Sequence, residues 1–162
     1  MSKKETKDLL QFLMPFDEGV TGLALWLRDF VWGLYPNCNE LIYDNYNAVA
    51  FGWSLSDKLG DTFCSIAVFN NKYVHFGFYW GSQISDPEKM LEGKGNQYRY
   101  IKVEAKETFP QKYIKLLLKE AYANSLGKLK TKKQELTGAT IVKSISAKKK
   151  RPGDIPKKKN TR

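Results

Sequence analysis

The spacing of hydrophobic positions changes several times along the chain. In residues 3–14, Leu9, Leu10, Phe12 and Leu13 form a short apolar face, a docking helix closed by Pro15. From Gly22 to Leu34 the residues Leu23, Leu27, Phe30, Val31 and Leu34 recur at helical spacing, and Leu25, Trp26 and Trp32 widen the stripe. This predicts a helix buried over much of its surface. It should stop before Pro36, because the residue preceding a proline is pushed out of the helical region. The period then shortens. Leu41–Tyr43, Ala48–Trp53, Phe63–Phe69 and Tyr73–Trp80 read as strands, the last two flanking a tight turn at Asn70-Asn71-Lys72. In the second of that pair, Val74, Phe76, Phe78 and Trp80 share one face and Tyr73, His75, Gly77 and Tyr79 the other.

Asp86-Pro87-Glu88 predicts a helical turn through Leu91, with Asp86 as the cap and Pro87 in the first position, ended by Gly93 and Gly95. Tyr98–Val103 is a further strand. Thr108, with Gln111 three residues on, predicts the capped start of a last helix, whose stripe is Tyr113, Ile114, Leu117, Leu118 and Ala121 and whose end is Ser125–Gly127. Strands run together between helices, which argues an α+β fold: a two-layer sandwich, its sheet mainly antiparallel, with N- and C-terminal helices packed on one face.

Charge divides the chain. Of 27 Lys and Arg, 13 lie between Lys128 and Arg162, against 2 of the 17 acids; the remaining 127 residues carry 14 against 15. The expectation is an electrically balanced domain over 1–127 and a basic, largely disordered tail over 128–162, since repelling charges and little apolar area cannot offset chain entropy. Within the tail, 128–146 is the part that could be a partly helical extension. Lys148, Lys149, Lys150, Arg151, Lys157, Lys158 and Lys159 are its candidates for nucleic-acid phosphates, although a solubilising role or an import address fits the same run. The tail has no aromatic residue on which a base could stack.

The remaining 42% apolar and 14% aromatic content is enough for a packed core. The longest apolar run, Leu23–Leu27, is far below the roughly 20 residues that span a bilayer, so no membrane partner is expected. The apolar stretch Leu9–Phe16 is broken by Gln11 and Pro15 and does not read as a signal peptide. Two cysteines, Cys38 and Cys64, neither of them in a CxxC pair, suggest buried thiols in a reducing, cytoplasmic setting, and with a single histidine they exclude zinc of the usual kind.

Several motifs in series resemble those of the YdhG-like family of small domains: the strand pair beginning FCSIAVF with its aromatic, histidine-bearing second strand, then Asp86-Pro87, Leu91-Glu92-Gly93-Lys94-Gly95 and Arg99-Tyr100-Ile101-Lys102. Ile42–Ala48 is similar to one branch of that family, and the likeness spans about residues 20–124. The resemblance implies a compact frataxin-like α+β fold and, because one member has been assigned an iron-chaperone role, iron as a cargo. Iron favours carboxylate oxygens, and Asp17, Glu18 and Asp29 are the acids that the resemblance would enlist.

Two local sites stand beside this. Gly93 and Gly95 allow a concave turn whose N–H groups could hold an anion, with Lys94, Arg99 and Lys102 adding charge. The same glycines could simply make the turn, with Arg99 paired to Glu92. His75, mid-strand, is either a hydrogen-bonded structural residue or part of a ligand site. Most of the rings from Tyr43 to Trp80 should be core, and a minority could line an apolar groove. No nucleophile elbow, catalytic triad order, phosphate-binding loop or dinucleotide fingerprint occurs. The reading is therefore a non-enzymatic module for a small ligand, a metal or a protein, with a nucleic-acid-tethered protein as the alternative.

Overall fold

The computed structural model describes residues 3–129 and 136–154. Two helices, α1 (Lys3–Leu13) and α2 (Glu18–Leu34), precede five strands: β1 (Asn39–Asp44), β2 (Val49–Ser54), β3 (Thr62–Val68), β4 (Val74–Phe78) and β5 (Arg99–Val103). Helix α3 (Gln111–Lys128) and strand β6 (Thr140–Ile145) follow. The strands form one sheet in the order β5-β4-β3-β2-β1-β6. Every pairing is antiparallel except β1 with β6, which is parallel. The fold is the α+β sandwich that the strand runs predict.

Period-two alternation builds the covered face. Ile42, Phe51, Ile66, Phe76 and Ile101 stand in one cross-strand row, and all five are buried. Against that face α2 presents Val20, Leu23, Ala24, Leu27 and Val31, and α3 presents Ile114, Leu117, Leu118 and Ala121. Leu9 and Leu13 of α1 join the same core. Burying each large apolar side chain contributes about 1.5–3 kcal/mol, so this layer dominates the stability.

Three local expectations are corrected. Helix α2 begins at Glu18, four residues before the predicted start, because Gly19 and Gly22 meet no obstruction there and the apolar stripe extends back to Val20. Asp86–Leu91 is not a helical turn: Asp86 (φ 40°) and Lys89 (φ 52°) adopt left-handed backbone, and the Asp86 carboxylate accepts the N–H groups of Met90 and Leu91. Burial works against that carboxylate, but these bonds and the Tyr113 hydroxyl outweigh it and hold its pKa below the usual range. Helix α3 starts after Pro110, not at a Thr108 cap, because the Thr108 hydroxyl donates to Ala105 O in a separate short turn.

The largest correction concerns the basic segment. Residues 140–145, placed in the tail, are a sheet strand, and the chain behind them folds back onto the β1–β2 turn. Two buried carboxylates of β1 hold it. Glu40 accepts two bonds of 2.7 Å from the Arg28 guanidinium and one of 3.0 Å from the Thr140 hydroxyl. Asp44 accepts from Arg151 at 2.6 Å and also pairs with Lys149. Arg151 further donates to the carbonyls of Asn45 and Tyr46, and its guanidinium lies 5.8 Å from the Phe16 ring. A division at residue 127 therefore cuts through one sheet. The composition showed the net charge of this run but not that two of its cations share one buried anion, Asp44 of β1.

Candidate functional site

Among the described residues, no helix packs on the second face of the sheet. Where the covered face has large side chains, this one has small ones at its centre. Ala50 faces Ala67 across β2 and β3, Gly52 faces Ser65, and Ser65 in turn faces Gly77 of β4. Ala50, Gly52, Ser65 and Ala67 floor a trough of about 370 Å³, and the Tyr98 ring covers Gly77 beside it. Tyr43 and Asn45 wall it on the β1 side, Phe69, His75 and Tyr98 on the β4 side, and Leu59, Thr62 and Tyr79 close one end. The floor cannot rise. A Cβ at Gly52 would meet Thr62 Cγ2 at 2.9 Å and Cys64 O at 3.0 Å, and one at Gly77 would collide with the Tyr98 ring.

The rings on the β4–β5 side stand in a near-parallel stack. Tyr73 and His75 lie 5.5 Å apart at 12°, His75 and Tyr100 4.0 Å apart at 14°, and Tyr100 and Tyr98 5.7 Å apart at 22°. Phe69 meets His75 edge-on at 4.7 Å. Strand alternation places all of these above the same face. Burial, helped by the neighbouring Tyr100, pushes the Tyr98 phenol up to about 12 against the opposing hydrogen bond that it shares with Ser65. Tyr43 is raised by burial and by the nearby Tyr79 phenol. His75 is held below its ordinary 6.5 by burial and by Lys102, with Glu92 pulling the other way, and is therefore neutral near pH 7.

Two polar atoms in the trough lining are buried without a hydrogen-bond partner: Thr62 Oγ1 and His75 Nε2. Among the described residues the other two such atoms are the indole nitrogens of Trp32 and Trp53, which pack edge to face within the core. An unmade hydrogen bond of this kind costs about 1–3 kcal/mol. Two of them in one open, mostly apolar cleft have the chemistry of a binding site.

The predicted anion site is not assembled. Arg99 lies on the covered-face side of β5, paired across from Phe78, whereas His75 and Lys102 are partners on the other face. The Arg99 guanidinium donates at 2.6 Å to Gly95 O and at 2.8 Å to Tyr98 O, so it ties down its own loop and not Glu92. Gly93 (φ 124°) serves the turn, where a Cβ would press on Tyr98 O. Lys94 is exposed, and Lys102 lies 5.0 Å over the Tyr73 ring. The six residues fall apart into His75 with Lys102 on one face and Arg99 with Gly93 and Gly95 in the loop, with Lys94 exposed.

The acids enlisted for iron do not converge either. Asp17, Glu18 and Asp29 are exposed, and Glu18 and Asp29 stand about 16 Å apart along α2 at 1.5 Å per residue. Among the described residues no three His, Cys, Asp or Glu side chains could hold a metal ion together. Of the basic candidates, Lys149 and Arg151 are paired with Asp44, Lys148 and Lys150 are exposed, and Lys157, Lys158 and Lys159 lie outside the described residues.

Sequence reasoning identified His75 and the aromatic face of β4 but missed the trough floor. Its signal was present as small residues at every second position: Ala50 and Gly52, then Ser65 and Ala67. Comparison with family models, curated proteins and solved structures finds no match for this chain. The YdhG-like resemblance therefore rests on the quoted motifs alone.

Proposed function

We propose that this protein is a binding module for a small, predominantly apolar ligand held in the trough on the open sheet face. The observation that carries the reading is the pair of buried, unpartnered polar atoms, Thr62 Oγ1 and His75 Nε2, set in an otherwise apolar and aromatic cleft. Pockets of this size and composition use a few placed polar groups to orient a ligand. Binding is favoured over chemistry because the trough pairs no nucleophile with a base. Ser65 shares its bond with Tyr98, and Nε2 of His75 has no hydrogen-bond partner. The reading follows the small-ligand side of the YdhG-like resemblance and does not draw on iron.

A nucleic-acid arm is less well supported. Asp44 neutralises two of its cations, and the ring stack beside Lys102 covers its inner faces with its own neighbours, leaving little surface for bases. The buried thiols of Cys38 and Cys64, which form no disulfide, fit a reducing compartment, and among the described residues no helix is long and apolar enough to cross a membrane.

A panel of neutral aromatic fragments, read by amide chemical shifts, tests the proposal. Shifts confined to the open-face residues of β1–β4, and lost when Ala67→Phe fills the floor, are the expected result. Shifts scattered over the surface, or unchanged in the filled variant, would reject it.

A further inference from the structure

The positions of the two unpartnered atoms say more about the ligand than that one exists. Thr62 opens β3, whereas His75 pairs with Ala67, five residues further along the same strand. At about 3.3 Å per residue, their backbone positions are separated by about 16 Å along the trough. Between them lies the row of Gly52 and Ser65, the serine hydroxyl already engaged by Tyr98, while Ala50 and Ala67 stand level with His75. The trough thus has a hydrogen-bonding group towards each end and an apolar, flat-floored middle. No Lys, Arg, Asp or Glu lines it, so a charged ligand would be desolvated without compensation.

We infer that the ligand class is an elongated, uncharged, flat molecule with an aromatic or polycyclic body and a hydroxyl at each end. This rests on the trough reading above. A hydroxyl is the group that fits both ends. The threonine hydroxyl can donate or accept, and a neutral imidazole nitrogen does one or the other according to tautomer, while a ligand hydroxyl answers either. The groups facing His75 are consistent with a neutral partner. Lys102 stands across on β5, Glu92 lies beyond it, and Tyr73, Tyr100 and Phe69 cover the ring itself.

Calorimetric titration of the full chain with three probes separates the possibilities: biphenyl, biphenyl with a hydroxyl at each para end, and biphenyl with a carboxylate at each para end. The diol should bind at least about tenfold more tightly than biphenyl, the gain expected when even one orphaned group is satisfied. Thr62→Val and His75→Phe, which keep shape and ring, should each cut diol affinity about tenfold and leave biphenyl affinity unchanged. Equal affinity for diol and biphenyl, or tightest binding of the dicarboxylate, overturns the ligand class while the trough remains a binding site. Absence of heat from all three overturns the class as well. The trough itself then stands or falls on the fragment panel and the Ala67→Phe variant.

Discussion

The two faces of this sheet are built from alternate residues of the same strands, yet they are made for different ends. On the covered face, Phe51, Ile66 and Phe76 follow one another across β2, β3 and β4 and are sealed by α2 and α3. One residue along, Ala50, Gly52, Ser65 and Ala67 occupy β2 and β3 and leave a hollow, while Tyr98 covers Gly77 of β4. Large residues on one side and small on the other cannot be a by-product of strand propensity, which favours bulky residues on both. The difference concentrates stability in one layer and leaves room above the centre of the other.

The sharpest way to break the comparison is to exchange the sizes. Phe76→Ala opens a cavity in the sealed layer and should cost about 3–5 kcal/mol in urea unfolding. Arg151→Met comes next. It lies at the border of the covered face, where Asp44 is fully buried. Leaving a buried carboxylate short of its partner costs about 3 kcal/mol, and because Lys149 remains, the loss should be smaller than for Phe76→Ala. The same variant should loosen 146–154 from the β1–β2 turn, visible as faster amide exchange at Lys150, whose N–H is bonded to Tyr46 O.

On the open face the expected effects are smaller. Gly77→Ala drives a methyl into the Tyr98 ring and should cost about 1–3 kcal/mol, the usual range for overpacking. It should also return the Tyr98 phenol towards its ordinary pKa, measurable by its ultraviolet titration. Thr62→Val replaces a 2%-exposed hydroxyl that has no partner with a methyl of the same shape. It should raise stability by up to about 1 kcal/mol. A loss there would mean that Thr62 has a structural bond and is not held ready for a ligand.

The covered face was readable in advance because its signal is local and periodic: the α2 stripe, the Val74-Phe76-Phe78 alternation and the α3 stripe each name their own element. What could not be read was pairing at long range. Nothing near Thr140 or Arg151 in sequence announces Glu40 and Asp44, about a hundred positions away, as their acceptors, so a strand and its anchor read as a loose cationic run. Arg99 failed for the opposite reason. Its neighbours Lys94 and Lys102 are close in sequence, but alternation along β5 sends Arg99 and Lys102 to opposite faces. The trough was half legible, its rings noticed and its floor overlooked, because small residues register as weak strand formers and not as deliberate gaps.

The smallest expected effect compares the faces through pH. His75 is the only histidine in the chain, and its folded pKa lies below the 6.5 of an exposed imidazole because burial and Lys102 disfavour its charged form, with Glu92 partly offsetting them. The unfolded chain therefore binds the proton more readily. Above 6.5 both states are neutral and His75 exerts no pH-dependent effect. As pH falls from 6.5 to the lowered folded value, the unfolded state gains protons first and stability declines. Below that value both states are protonated and the loss is complete. Urea unfolding from about pH 8 to about pH 5 should thus show a shallow decline that His75→Phe removes. If the decline survives in His75→Phe, some other group produces it, and the neutral imidazole assigned to the trough wall loses its support.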